Sequence, residues 1–376
     1  MSYIKNNTRK NFYGRRISQI SFWIIISFVI LYILTKLRPF LLTPDQFRTT
    51  DTVTFEISKG DTTDKVSSKD NSTNENSLLF IAVLTHWRRW KRRAGIRETW
   101  MTQCTRDKAR CLFFTDDVGA KENDKRLLES EISRNNDTIL MPMTEDMSFA
   151  FAARLLWILQ WAVNHSNFEY FLRIDDDHFL CIERLLHELP WRPKKALYWG
   201  FVHCKPKIVR IDEAWLILTR DLVSEILSKI NTTLPCHPIG DQAVAMWMNN
   251  STYNVTYFMD NTRIVHKTAG HDTKYYTKTV CEKFISLHGV FDVEMRKLWL
   301  VWHKLYRAKL SSMPRYKISP IRKFEKLCPY SKVFSTDGFY PEYRFESRLC
   351  RLNPTWSISK SVHPGREETG ERYSSY

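Results

Sequence analysis

Four short, unbroken apolar runs stand out in the first half of the chain: residues 78–85 (LLFIAVLT), 111–114 (CLFF), 138–141 (TILM) and 170–174 (YFLRI). Between them lie stretches with helical spacing, at about 92–101, 123–132 and 147–163. Strand-like runs alternating with helix-like ones predict an α/β domain built on a mostly parallel sheet. Further on, 196–201 (ALYWGF) and 214–218 (AWLIL) read as strands, and 222–230 and 239–248 as helices. RIVH at 263–266 is expected to close the sheet. Past about Trp302 the periodicity weakens and Pro, Lys and Arg become frequent, which predicts a peripheral extension.

A different pattern precedes these elements. Residues 17–34 (ISQISFWIIISFVILYIL) carry no formal charge and are about long enough to cross a bilayer. Lys5, Arg9, Lys10, Arg15 and Arg16 come before this run, and only Lys36 and Arg38 follow closely. The positive-inside rule then keeps the N-terminus cytosolic and puts the rest of the chain in a lumen. No small-residue cleavage site follows the run, which argues against a removable signal peptide. Residues 43–77 are rich in Thr, Ser, Asp, Asn and Lys and poor in large apolar side chains, the composition of a stem that cannot order itself. The expected organisation is a cytosolic tail (1–16), a single-pass membrane anchor (17–34), a stem (35–77), a catalytic domain (78–300) and a basic extension (301–376).

Composition sharpens this picture at three points. Aromatic residues make up 14% of the chain, enough for a substantial core. The net charge is +16, but residues 301–376 alone hold 15 Lys and Arg against seven Asp and Glu, and no basic-aromatic signature of a nucleic-acid module occurs. No nucleic-acid partner is expected. N-x-[ST] acceptors at Asn71, Asn136, Asn164, Asn231, Asn249, Asn250 and Asn254 agree with a lumenal address. So do eight cysteines, all beyond the anchor and none in a CxxC spacing; Cys104 with Cys111, and Cys328 with Cys350, are the locally plausible pairs.

Asp175-Asp176-Asp177 follows directly on the YFLRI strand, where open α/β sheets place their ligands. Three adjacent carboxylates repel one another and lose solvation near a core, so a cation is the natural compensation. Hard oxygen ligands suit Mg²⁺ or Mn²⁺, ions that commonly bridge carboxylates to substrate phosphates. The competing account is a solvated acidic turn in which Asp175 or Asp177 caps the helix starting near Cys181.

Three segments in succession carry a family resemblance: Arg92-Arg93-Ala94-Gly95-Ile96-Arg97-Glu98-Thr99-Trp100, Phe171-Leu172-Arg173-Ile174-Asp175-Asp176-Asp177-His178-Phe179, and Tyr198-Trp199-Gly200-Phe201. They resemble motifs of glycosyltransferase family 31, which includes Fringe-like enzymes and core 1 β-1,3-galactosyltransferases, and the likeness covers about residues 78–299. The resemblance implies a GT-A fold with a Rossmann-like mixed sheet, a UDP-sugar donor, Mn²⁺, inversion at the anomeric carbon and a β-1,3 linkage. It implies that Asp177 binds the metal, that Asp175 and Asp176 contact the donor's sugar and ribose, and that Arg97 lies near the nucleotide. With the anchor, it places the protein in the Golgi membrane as a type II protein acting on glycoprotein or glycolipid acceptors; a homodimer is a candidate assembly.

An inverting transfer needs a general base. Asp241, in Pro238-Ile239-Gly240-Asp241-Gln242-Ala243-Val244, falls where family members carry an acidic pair followed by Val and a Gly. Here Gly240 replaces the first acid and Ala245 stands in place of the Gly. Two readings stay open at Asp241, base and helix cap. The departure also leaves open a catalytically inactive lumenal relative acting as chaperone or partner of an active transferase. His288, in Phe284-Ile285-Ser286-Leu287-His288-Gly289-Val290, resembles the His-x-Val motif that completes the metal site in Fringe-like enzymes, with His266 and His271 as weaker alternatives. Trp199 and Gly200 are expected on the acceptor side, the indole to stack on a sugar face and the glycine to allow close approach, with core packing the competing role of Trp199.

Overall fold

The computed structural model describes residues 76–105, 107–143, 151–205, 208–237, 240–306, 347–352 and 354. The expected anchor at 17–34, Asn71 and most of the basic extension lie outside the described residues. Among the described residues no helix is long and apolar enough to cross a membrane.

The strands of the main sheet are β1 (Asn76–Leu84), β2 (Ala109–Thr115), β3 (Thr138–Leu140), β4 (Asn167–Asp175), β6 (Leu197–Lys205), β7 (Ile208–Thr219) and β9 (Thr256–Met259), in the order β3-β2-β1-β4-β7-β6-β9. The pairs β2–β3, β1–β2, β1–β4 and β6–β9 are parallel, and β4–β7 and β6–β7 are antiparallel. The sheet has the parallel majority that the alternation of runs predicts and the mixed character that the resemblance implies. The apolar runs are unbroken because the sheet is covered on both faces. Leu79, Ile81 and Val83 of β1 join one core with Tyr170, Leu172 and Ile174 of β4. Phe80, Ala82 and Leu84 join the other with Phe171, Leu216 and Leu218.

Helices α1 (Trp90–Arg97) and α2 (Glu122–Asn135) fall where helical spacing put them, as do α3 (Phe151–His165), α5 (Arg220–Lys229) and α6 (Gly240–Asn249). The short α4 (Ile182–Glu188) follows the acidic triplet. α7 (Val280–Lys283) is a single turn, and α8 (Asp292–Tyr306) packs against α1.

The RIVH expectation is corrected. Ile264–Val265 is β10 of a separate three-stranded sheet, β10-β11-β5, with β5 at His178–Leu180 and β11 at Ser286–His288. The edge of the main sheet is β9, whose mixed exposure gave no apolar run to read. Pairing is antiparallel between β5 and β11 and sets His288 opposite His178, a long-range register that no local pattern announces.

Cys104 pairs with Cys111, as expected. Cys350 does not pair with Cys328; it bonds Cys236 across 114 residues, where β12 (Arg348–Leu349) lies antiparallel to β8 (Pro235–Cys236). Cys181 bonds Cys281 across 100 residues, tying the end of β5 to α7 just before β11. Closing a loop of that length removes about 4–5 kcal/mol of unfolded-state entropy in the chain-entropy account. The bond therefore anchors the two strands that carry the site.

Candidate active site at the end of strand β4

The three aspartates have separate environments. Asp176 is wholly buried. One of its oxygens accepts from Thr85 Oγ1 at 2.6 Å, and the other meets the Arg92 and Arg89 guanidinium groups at 2.8 and 3.2 Å. Burial alone would raise its pKa, but Arg89, Arg92 and Thr85 more than offset that and bring it down to about 2. With both oxygens engaged and no exposure, Asp176 braces the loop against β1 and α1. Asp175, the more open neighbour at 32% side-chain exposure, is held by Arg173 at 2.9 Å. Burial, with the charges of Asp177 and Asp176 adding to it against Arg173, pushes its pKa up to about 6.

Asp177 turns another way. It does not cap α4, whose N-cap is Cys181 with no side-chain cap. Its Oδ1 lies 3.7 Å from His288 Nε2, and its Oδ2 is 3.7 Å from Arg92. Oδ1 is buried without a hydrogen-bond partner, and so is Nε2 of His178. Asp177, His178 and His288 each offer one ligand atom, all within 4.8 Å of one another.

The imidazoles are oriented from behind. His288 Nδ1 pairs with the His266 carbonyl at 2.7 Å and His178 Nδ1 with Ser286 Oγ at 2.8 Å, which leaves both Nε2 atoms for the cluster. Burial, helped by the nearby His288, lowers His178 to about 3, so its ring is neutral and its nitrogen able to bind a cation. For His288 burial acts in the same sense, but the Asp177 charge and the His266 bond outweigh it and raise its pKa. Gly289 turns the chain immediately afterwards at φ 65°, where a β-carbon would come within 2.7 Å of Thr268. A divalent ion fits this donor set: a carboxylate oxygen and two imidazole nitrogens converge, and two of those atoms are otherwise buried and unsatisfied.

The other expected residues lie as follows. Arg97 is engaged away from the triplet: its guanidinium pairs with Glu131 at 2.7 Å and with Asp137 at 2.7 and 2.8 Å, over the Phe113 ring. From this part of the chain Arg89 and Arg92 reach the triplet instead, eight and five residues before Arg97. Trp199 is a core residue, which corrects the acceptor-side expectation. It is fully buried, donates to Asp260 at 3.1 Å and packs edge-on against Trp215 and Phe258. A β-carbon on Gly200 would stand 2.3 Å from Ile211 Cγ2 and 2.7 Å from the Trp215 carbonyl, so this glycine lets β6 and β7 approach at an irregularity in their register. Asp241 lies in the first turn of α6 and is buried; its Oδ2 accepts from Arg210 Nε, and its Oδ1 has no hydrogen-bond partner. Sequence reasoning missed His178, although it adjoins the triplet, because a ligand role needs β11 opposite it.

Residues 91–215 match the Galactosyltransferase family model. Over 144 residues the chain is 31% identical to mouse beta-1,3-galactosyltransferase 6, a match covering 36% of this chain and 44% of that protein. Residues 91–215 are thus similar to a galactosyltransferase domain, and the chain spans less than half the length of the curated relative it matches. Among solved structures it is similar to galactosyltransferase LgtC in complex with donor and acceptor sugar analogs (TM-score 0.33, 8% identity, 66% of this chain and 99% of that one). It is also similar to a glycosyltransferase involved in glycosylation of the major capsid of PBCV-1 (TM-score 0.33, 13% identity, 58% and 98%).

Proposed function

We propose that this protein is an inverting, metal-dependent glycosyltransferase of GT-A type that moves a hexose or N-acetylhexosamine from a UDP-sugar to a glycan acceptor, forming a β-1,3 linkage. The observation that carries the reading is the convergence of Asp177, His178 and His288 beyond the carboxyl end of β4, with buried ligand atoms left unsatisfied. Asp177 and His288 would hold Mn²⁺, with His178 beside them. When bound, the ion supplies charge neutralisation for the leaving diphosphate. Asp175, half-buried and the most open of the three acids, would contact the donor's sugar. Asp176 keeps the loop in position through Thr85, Arg89 and Arg92.

Asp241 is the candidate base. Arg210 holds one carboxylate oxygen; the other, Oδ1, is buried without a hydrogen-bond partner and would take the proton of an acceptor hydroxyl seated against it. A Golgi type II setting belongs to the same reading, and Asn136, Asn164, Asn231, Asn249, Asn250 and Asn254 are all exposed, as glycan acceptors must be. The test is a donor-hydrolysis and transfer screen of the purified full chain with a panel of UDP-sugars and Mn²⁺. Metal-dependent turnover of at least one donor is expected; metal-independent behaviour, or no UDP binding at all, would favour a non-catalytic partner protein instead.

A further inference from the structure

A second convergence of metal-ligand chemistry lies beside the first. His203 of β6, Asp212 of β7 and His266, one residue past β10, each offer a ligand atom, and these atoms all lie within 4.8 Å of one another. His203 Nε2 is 2.8 Å and His266 Nδ1 2.7 Å from the same oxygen, Asp212 Oδ2. The other carboxylate oxygen accepts from the Ala214 N–H at 2.8 Å, which fixes Asp212 with Oδ2 directed between the imidazoles. The two rings meet at 86° with centroids 4.7 Å apart, so their nitrogens approach Oδ2 from different directions.

Phe201 completes the setting. It stacks on His266 at 4.9 Å and meets His203 edge-on at 5.1 Å, an apolar wall that restrains both rings. Side-chain exposures of 14% for His203, 12% for Asp212 and 41% for His266 leave the outer side open to water or a further ligand. Two imidazoles and one carboxylate with an open outward position form the donor set of a borderline divalent ion such as Zn²⁺ or Co²⁺, in contrast to all-oxygen sites that favour Mg²⁺.

We propose that His203, Asp212 and His266 form a second divalent-metal site, of the Zn²⁺ class, distinct from the Asp177 site. The two sites adjoin through one residue. The His266 ring belongs to the second, while its backbone carbonyl accepts from His288 Nδ1 at 2.7 Å. An ion at the second site restrains His266 and thereby the ring of His288, so His266 is also a positioning residue for the first site.

The test uses the full chain, stripped with a chelator and titrated with Zn²⁺ by calorimetry and with Co²⁺ by its visible ligand-field absorption. The wild type is expected to take up an ion with tetrahedral Co²⁺ bands that persist in Asp177→Ala. In the Asp177→Ala background, which removes a ligand of the first site, His203→Ala is expected to lose those bands and to bind that ion at least about a hundredfold more weakly, the upper end of what loss of even an outer-shell partner costs. Unchanged Zn²⁺ binding in the folded double variant would overturn the site. If that variant does not fold, Asp177→Ala decides: an Asp177→Ala protein that binds no Zn²⁺ leaves no second site.

Discussion

Asp177 and His288 face each other at 3.7 Å, Oδ1 to Nε2, although 111 positions separate them in the chain. The β5–β11 register creates the pairing, and the Cys181–Cys281 bond and the His266 carbonyl hold it. No hydrogen bond draws the two atoms closer, and the Asp177 charge acts on the His288 ring across this gap.

Removing either side of that pair should therefore act on metal before it acts on the fold. Asp177→Ala and His288→Ala are expected to weaken Mn²⁺-dependent UDP binding at least about tenfold. Calorimetry with UDP at fixed Mn²⁺ measures this, and wild-type metal dependence in both variants would remove the pair from the site.

Asp241→Asn separates base from cap. An amide keeps the shape but cannot take a proton, so turnover should fall about 10²- to 10⁴-fold with UDP affinity nearly unchanged. Asn caps a helix about as well as Asp, so a cap would leave turnover near normal. Steady-state transfer assays on a variant shown to be folded by its melting curve decide between them.

Gly200→Ala tests the close approach of β6 and β7. The new methyl group would meet a backbone carbonyl that cannot swing aside, so a loss of about 1–3 kcal/mol in stability is expected from overpacking. The urea midpoint reports it; a midpoint equal to the wild type's would show that the strands separate freely.

Glu225 gives a pH signature. Burial works against its carboxylate, but Lys229, Ser251 and Thr252 outweigh that and bring its pKa to about 2. A pKa depressed on folding means stability present above the unfolded value of 4.5 and lost as pH falls from there toward about 2. Glu225→Gln should cost about 2 kcal/mol at pH 7, as expected for charged hydrogen bonds, and less at pH 3. Urea unfolding at the two pH values would show the gap narrowing; a constant gap would assign the effect to shape.

How much of this was legible in the chain differs from residue to residue. The apolar runs at β1, β2 and β4 are legible because a strand buried on both faces is apolar at nearly every position; the buried Arg173 of β4 departs from that and pairs with Asp175. Asp175-Asp176-Asp177 is legible as a site because buried adjacent carboxylates need compensation, and it lies within the residues 91–215 that match a family model. Local sequence could not divide the three acids among their tasks. Arg89 and Arg92 claim Asp176, Arg173 of the same strand claims Asp175 and His288 faces Asp177, and the partners of Asp176 and Asp177 arrive from elsewhere in the chain. Trp199 shows the same limit: an indole in a family-like motif reads equally as a sugar platform or as core, and only its complete burial among Trp215, Phe258 and Asp260 settles the role. Spacing and composition determined the sheet and its acidic edge because those are local properties of the chain. Pairings such as His288 with His178 and Cys236 with Cys350 were decided by tertiary structure, since side chains more than a hundred residues apart meet only once the sheets have formed.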